Sequence, residues 1–444
     1  MRITLTVTAG PHEGEAFPFE GHDTFLVGRS KRAHFQLPSK DRYFSRMHFL
    51  VEANPPQCRI MDLGSHNGTY VNGRRIKQAD LKNGDRIRAG HTILQVAFDE
   101  TAKLVPAALA RQAFLSATVA ASPKAPPRSG SCPSCGLDLP SSDSADSPPV
   151  CPMCEQSIRE QTQFIQDYRI IRELGRGGMG VVYLAMRTAD GPPVALKTII
   201  PAGPCFGPEV ERFLREASIL RELDHPNIVA FRDMGESAGK LYFAMDYIRG
   251  RDAGKIVKAE GPLAVSRAVG WICQLLDGLD YAHKKGFVHR DIKPANILVA
   301  EDNGREDVKL ADFGLARFYH ASQLSGLTMM GEIGGTPYYM APEQILNFRE
   351  AKPAADQYAV AATLYNLLTG QHIFDLPKDM NKAFKIILEN RPVPITQRRA
   401  DVASKIARVI HHALAREPDM RFPDTVSLAK ALRPFAREEG IRGL

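Results

Sequence analysis

The chain has 444 residues, 44% hydrophobic and 24% charged, a composition that can bury sizeable cores and points to about three domains. Its formal net charge is +7, and residues 1–98 hold 14 Lys+Arg against 9 Asp+Glu, a mildly basic balance that suits an anionic partner but lacks the long basic run expected for nucleic acid. No apolar stretch reaches about 18 residues, so no membrane span is expected, and Met1-Arg2-Ile3-Thr4-Leu5-Thr6-Val7 alternates like a strand rather than reading as a signal peptide.

Residues 1–98 carry short alternating segments at 3–7, 24–27, 47–51, 59–61 and 92–96, punctuated by Gly, Asn, Asp and Pro. That pattern predicts an antiparallel β-sandwich. Polar signals fall at the strand ends: Gly28-Arg29-Ser30, Ser45-Arg46-Met47-His48 and Asn67-Gly68-Thr69-Tyr70. In this order the motifs resemble the forkhead-associated (FHA) domain, a phosphothreonine-binding module. The resemblance implies that Arg29 and Ser45 contact the phosphate, Arg46 adds charge and Asn67 holds the ligand backbone. Gly68 and His48 would hold loop shape. Physically, a phosphothreonine offers about −1.5 to −2 charges and three acceptor oxygens, which Arg and hydroxyl donors on loops can meet. His66 departs from the pattern, standing where the family usually has Ser or Thr. Its imidazole can still donate to phosphate, with a shifted ligand preference.

Residues 99–131 are rich in Ala, Pro and Ser and read as a largely flexible spacer, although 107–121 has helical composition. Two Cys-x-x-Cys pairs follow, Cys132/Cys135 and Cys151/Cys154, separated by residues 136–150. Such pairs are a tetrahedral zinc signal, and four thiolates would close the site, giving it a structural role. They resemble a zinc-ribbon-like knuckle over 132–154. Since 138–149 offers little core, Zn2+ would supply most of the folding free energy. Residues 136–150 contain no basic or aromatic residue, which ranks a nucleic-acid-binding knuckle last. The remaining cysteines, Cys58, Cys205 and Cys273, are scattered, as expected in a reducing cytoplasm.

From Tyr168 a strand runs into Leu174-Gly175-Arg176-Gly177-Gly178-Met179-Gly180-Val181-Val182. A second strand follows the glycines, predicting a strand-turn-strand flap over phosphates rather than a dinucleotide fold. Val194-Ala195-Leu196-Lys197 is the next strand, and Glu209 to Leu223 has helical spacing. Val288-His289-Arg290-Asp291-Ile292-Lys293-Pro294-Ala295-Asn296 gathers a carboxylate, an ammonium and a carboxamide between two apolar runs. Asp291 can take a proton from a hydroxyl, Lys293 can neutralise a phosphoryl group, and Asn296 offers an oxygen to magnesium. Ala311-Asp312-Phe313-Gly314 and Gly335-Thr336-Pro337 through Ala341-Pro342-Glu343 come later.

These motifs, over 168–435, resemble the eukaryotic-type Ser/Thr protein kinases found in bacteria. The resemblance implies a bilobal α+β domain that uses ATP and Mg2+. Lys197 would hold the α- and β-phosphates and Glu216 would orient Lys197. Asn296 and Asp312 would hold magnesium, and Asp291 would orient and deprotonate the acceptor hydroxyl. Leu174, Gly175, Gly177 and Gly180 would line the nucleotide flap, with Met245 as gatekeeper. Backbone groups of Asp246 and Ile248 would meet adenine, sandwiched by Val182, Ala195 and Leu298. Thr336 would hydrogen-bond near Asp291 and Lys293, and Arg421 would pair with Glu343. Ser322, Ser325 and Thr328 lie in the activation segment, with Thr328 the favoured phosphorylation site because Arg290 needs an anionic partner.

The sequence therefore predicts a multidomain cytoplasmic protein: an all-β FHA sandwich, a small four-cysteine zinc knuckle and an α+β bilobal Ser/Thr kinase domain. Its partners would be protein substrates and phosphothreonine proteins, including its own phosphorylated segments. The alternative is a phosphothreonine adaptor with a catalytically silent kinase scaffold, against which Lys197, Asp291 and Asp312 stand intact.

Overall fold

The computed structural model describes residues 2–99 apart from 21–22, 38–40, 42 and 55–56, and residues 164–437 apart from 178–179, 188–190, 200–213, 215–216, 238–239, 303, 314–336 and 347–350. Residues 100–131 of the spacer, the four paired cysteines, Glu216, Ser322, Ser325, Thr328 and Thr336 thus lie outside the described residues.

Among the described residues, the N-terminal body is built of strands β1 (Arg2–Ala9), β2 (Ala16–Glu20), β3 (Asp23–Gly28), β4 (Phe35–Gln36), β5 (Phe49–Asn54), β6 (Gln57–Asp62), β7 (Thr69–Val71), β8 (Arg74–Ile76), β9 (Gln78–Asp80), β10 (Arg86–Ala89) and β11 (Thr92–Asp99). They form two sheets, ordered β2-β1-β11-β10-β7-β8 and β4-β3-β5-β6-β9. Period-2 alternation turns Ile3, Leu5, Val7, Leu94 and Val96 of one sheet toward Val27, Phe49, Val51 and Ile60 of the other, and these close into one core. The expected sandwich is present.

One side chain pins its loops. His48 is fully buried. Its Nδ1 accepts the Ser45 backbone N–H at 2.9 Å, and Nε2 lies 3.4 Å from the Gly68 carbonyl. The network thereby assigns the neutral tautomer with its proton on Nε2. Two of the loops that carry the polar motifs are held by one ring. Gly68 adopts φ +77°, and a Cβ there would press into the Arg75 side chain. Gly28 is fixed by proximity instead, because a Cβ would overlap the Arg46 carbonyl.

The second sheet is buried on both faces. Leu26, Leu50 and Met61 are cross-strand partners on β3, β5 and β6. They face away from the sandwich core, yet none exceeds 3% exposure. Their cover is the C-terminal body, whose core cluster they join together with Ala33, Met47 and Leu63.

The C-terminal body starts with a six-stranded antiparallel sheet, ordered β12-β13-β14-β15-β17-β16. Its strands are β12 (Phe164–Ile165), β13 (Tyr168–Gly177), β14 (Gly180–Arg187), β15 (Val194–Ile199), β16 (Phe231–Ser237) and β17 (Lys240–Asp246). The glycine motif closes a hairpin between β13 and β14, with Gly177 opposite Gly180. Gly180 has φ +147°, and a Cβ would overlap the Thr198 carbonyl, so no other residue fits. Of the helix expected over 209–223, the described part ends in a 3-10 turn at Ser218–Glu222, where Leu223 donates back to Leu220.

Below it lie β18 (Arg251–Asp252), β19 (Ile297–Asp302) and β20 (Arg305–Leu310), with helices α1 (Ala253–Glu260), α2 (Val265–Lys284), α3 (Pro342–Leu346), α4 (Pro353–Thr369), α5 (Met380–Glu389), α6 (Ile395–Arg398), α7 (Ser404–Ala413) and α8 (Thr425–Leu432). Helix α4 is apolar on all sides and almost wholly buried, the signature of a central core helix. Gly370 ends it in the left-handed conformation. No helix among the described residues is long and apolar enough to cross a membrane.

Burial holds His48 neutral, with its pKa lowered from 6.5 to about 4. The unfolded imidazole binds a proton near 6.5 and the folded one only near 4. This stability is therefore present above about pH 6.5 and lost as pH falls toward 4, by up to about 3 kcal/mol. The resistance of residues 25–63 to urea in the full chain, read by hydrogen exchange, should fall as pH drops through that window. In His48→Asn the slope should be shallower than in wild type.

Candidate active site and phosphate-binding loops

The central helix positions the loop of residues 288–296. Asp356, near the start of α4, is fully buried and accepts hydrogen bonds from the backbone N–H of His289 (2.9 Å) and of Arg290 (2.8 Å), and from His283 Nε2 (2.8 Å). Burial alone would raise its pKa. The hydrogen bond and charge of His283, then His289 and the Arg290 N–H, hold it below the ordinary carboxylate value. This grip sustains an uncommon backbone: Arg290 has φ +70° and Asp312 φ +60°, left-handed for non-glycine residues. Such conformations cost about 1–3 kcal/mol each and persist where surrounding contacts enforce them.

The ring of His289 extends the grip. Its Nε2 lies 3.0 Å from the Ala311 carbonyl, Nδ1 accepts the Asp291 N–H at 3.2 Å, and the ring packs edge-on against Phe313. The loop and the Asp312 segment are thereby braced against each other. Gln344 of α3 adds a tie, donating to the Arg290 carbonyl at 2.9 Å.

The sequence-predicted polar groups converge in two linked clusters. Lys293 Nζ sits 2.8 and 3.0 Å from the Asp291 carboxylate oxygens. Asn296 Nδ2 donates to the Asp291 carbonyl at 2.7 Å and to its carboxylate at 3.0 Å. Lys197, only 7% exposed, pairs with Asp312 at 2.8 Å. Burial would raise the Asp312 pKa, but the Lys197 charge and hydrogen bond, with His289 and Lys293 farther off, hold it low. The expected Glu216 partner of Lys197 lies outside the described residues, and the contact made here is to Asp312. With its amide N–H2 used twice on Asp291, Asn296 turns its oxygen away. One carboxamide oxygen and one carboxylate suit magnesium, which keeps waters and substrate phosphate oxygens as further ligands.

Above these groups, Val182 pairs with Lys197 across β14–β15, and Ala195 pairs with Met245 across β15–β17. Met245 is buried, and Leu298 lies on β19. The Asp246 N–H already donates to the Ala230 carbonyl at 2.9 Å, and its carboxylate pairs with Arg232. The expected Glu343–Arg421 pair is made bidentately at 2.6 and 2.8 Å. Arg421 also donates to the carbonyls of Ala354, Ala415 and Arg416.

On the N-terminal body, Arg29, Ser45, His66 and Asn67 come together at one end of the sandwich. Arg29 Nε donates to the Phe44 carbonyl, the His66 N–H to Ser45 Oγ (3.2 Å), and Asn67 Nδ2 to the Tyr43 carbonyl (2.9 Å). Arg46 instead leans outward, with Nη2 3.6 Å from Glu389 of α5. Sequence reasoning missed Asp62, which accepts from Ser65 and Thr69 side chains and from the Gly64 and Ser65 N–H groups. The Asp62-Leu63-Gly64-Ser65 stretch, an Asp with Gly two residues on, is a turn signal that exposes this role. It also missed His283 and Gln344, whose partners are distant in sequence and leave no local pattern.

Comparison with known proteins bears on both bodies. The FHA domain family matches residues 25–90 and the protein kinase domain family residues 168–431. A probable serine/threonine-protein kinase pknA2 of Bifidobacterium longum is 36% identical over 63% of this chain and 36% of its own length. Serine/threonine-protein kinase PknF of Mycobacterium tuberculosis is 38% identical over 60% of this chain and 55% of its own. The chain thus spans about a third to a half of these curated relatives. Among solved structures, a double mutant of the Mycobacterium tuberculosis PknI kinase domain superposes with TM-score 0.50 and 29% identity, over 62% of this chain and 98% of that one. Rad53 1-466 in complex with AMP-PNP matches over 98% of this chain and 100% of that one, with TM-score 0.50; at 21% identity the likeness is one of fold. With the kinase match covering more than half its length, this chain belongs to the protein kinase family and carries an FHA domain ahead of the kinase domain.

Proposed function

We propose that the chain is a Ser/Thr protein kinase that transfers the γ-phosphoryl group of ATP to protein Ser and Thr hydroxyls, with the FHA domain capturing phosphothreonine. The observation that carries it is the joint placement of Asp291, Lys293 and Asn296 beside the Lys197–Asp312 pair. Asp291 orients the acceptor hydroxyl and takes its proton. Lys293, already on Asp291, offsets charge on the transferring group. Lys197 holds the nucleotide phosphates, and Glu216 orients Lys197. Asn296 and Asp312 would hold magnesium, which when bound neutralises charge on the phosphate oxygens. Positioning and fixed charge supply the rate, and no covalent intermediate is needed. The names of the curated relatives support the Ser/Thr class.

In this reading residues 1–98 are the FHA domain, 99–131 the spacer, 132–154 a zinc knuckle and 168–435 the kinase domain. The adenine contacts are Leu174, Val182, Ala195, Met245, Asp246, Ile248 and Leu298, under the Gly175, Gly177 and Gly180 flap. Arg29, Ser45, His66 and Asn67 meet phosphothreonine and its backbone, with Arg46 adding charge. The cytoplasmic setting rests on the paired cysteines and on the buried free thiol of Cys58.

Asp291→Asn and Lys197→Met should each remove phosphorylation from protein incubated with Mg-ATP, as read by mass spectrometry, with the thermal transition kept. Near wild-type turnover in either variant would sink the role assignment.

Elemental analysis of protein prepared without chelator should find about one zinc per chain, bound by Cys132, Cys135, Cys151 and Cys154. Absent metal together with four freely titratable thiols would refute the knuckle.

Thr328→Ala should lower activity severalfold, because a phosphate in the activation segment would bring a strong anion toward the Arg290 guanidinium beside the catalytic aspartate. An unchanged rate would shift the site to Ser322 or Ser325, or remove the switch.

A further inference from the structure

The outer face of the FHA sheet is covered by the kinase domain, and the cover is specific in composition. At its centre lies the apolar row Leu26, Leu50 and Met61, flanked by Ala33, Met47 and Leu63. Strand β3 touches α3, the helix that begins directly after the activation segment. Polar contacts ring the row. Arg32 pairs with Glu417, Arg46 with Glu389 at 3.6 Å, and Lys77 with Asp379 at 3.9 Å. Asn381 donates to the Lys77 carbonyl at 3.2 Å and Lys385 to the Gly64 carbonyl at 3.4 Å. Each of these charged pairs sets a basic FHA residue against an acidic kinase residue, which agrees with the basic balance of residues 1–98.

We propose that the outer face of β3, β5 and β6 is an intramolecular docking surface whose occupant is the α3–α5 face of the chain's own kinase domain, and that Arg46 couples this docking to phosphothreonine capture. The second half rests on the phosphothreonine reading given above. An apolar centre inside a polar rim is the anatomy of a specific interface. Arg46 belongs to both sites: it adjoins Ser45 in the phosphate loop and faces Glu389 across the seam. A phosphate in that loop brings about −1.5 to −2 charges toward the Glu389 carboxylate. Like charges repel, so ligand and docking oppose one another. Linkage makes the effect reciprocal. The Arg46 side chain is 75% exposed, so the coupling is that of a surface pair, up to about fivefold in affinity. The apolar row is untouched by the ligand and keeps the domains in register.

The test uses the full chain. A lysine-reactive cross-linker should join Lys77 to Lys382 or Lys385 within the monomer. Arg32→Glu should weaken that cross-link, and adding Glu417→Arg should restore it. Both residues are surface groups, so folding is retained. Leu50→Glu should abolish the link. A cross-link absent from wild type, found only in dimers, or insensitive to the charge swap would overturn the docking. For the coupling, a degenerate phosphothreonine peptide library is titrated against its unphosphorylated counterpart. Glu389→Gln should tighten phosphopeptide binding by up to about fivefold, while Ser45→Ala should abolish it. If phosphopeptides bind wild type and Glu389→Gln changes nothing, the coupling is wrong and the phosphothreonine reading stands. If no phosphopeptide binds wild type or Glu389→Gln, that reading and the coupling fall together, and the cross-link alone decides the docking.

Discussion

The loop of residues 288–296 depends on one buried carboxylate. Asp356 reaches from the central helix to the backbone of His289 and Arg290, and His283 closes its remaining side. A backbone that turns left-handed at Arg290 would relax without that anchor. The placement of Asp291 relative to Lys293 and Asn296 follows from the turn. Removing one partner of such a buried charge costs about 3–5 kcal/mol, because the other is left uncompensated. That energy is of the same order as the strain it restrains, so anchor and strained turn belong together.

A second anchor fixes the end of the activation segment. Glu343 heads α3 and meets Arg421, whose side chain is fully buried and held by carbonyls as well. Gln344, one residue on, returns to the Arg290 carbonyl. Helix α3 thus links the loop of residues 288–296 to the C-terminal helices, and β3 of the FHA sheet rests on the same helix.

Much of this was legible in the sequence because it is local. Alternation gave the sandwich core, the glycine spacing gave the β13–β14 hairpin, and the nine residues from Val288 to Asn296 gathered Asp291, Lys293 and Asn296 within one loop. The pairing of Glu343 with Arg421, 78 residues apart, was legible only through family resemblance. What escaped was non-local and unpatterned: His283 on Asp356, Gln344 on Arg290, and the direct contact of Lys197 with Asp312. The burial of the outer FHA face also escaped, although Phe49-Leu50-Val51 held the hint. A strand facing water on one side alternates, whereas three consecutive apolar residues describe a strand covered on both.

That uninterrupted run bears on how far the FHA domain is a portable module. Burying a Leu or Met side chain contributes about 1.5–3 kcal/mol, against about 0–1 kcal/mol for each exposed ion pair of the rim. Excised after Asp99, the sandwich would carry Leu26, Leu50 and Met61 into water on the face of a twisted sheet, a contiguous greasy strip of the kind that drives self-association. Grafted onto another kinase, it would need a matching apolar α3–α5 surface. Its boundary in the gene and its boundary as a soluble object are therefore different, and recombination that respects only the first would yield a sticky protein.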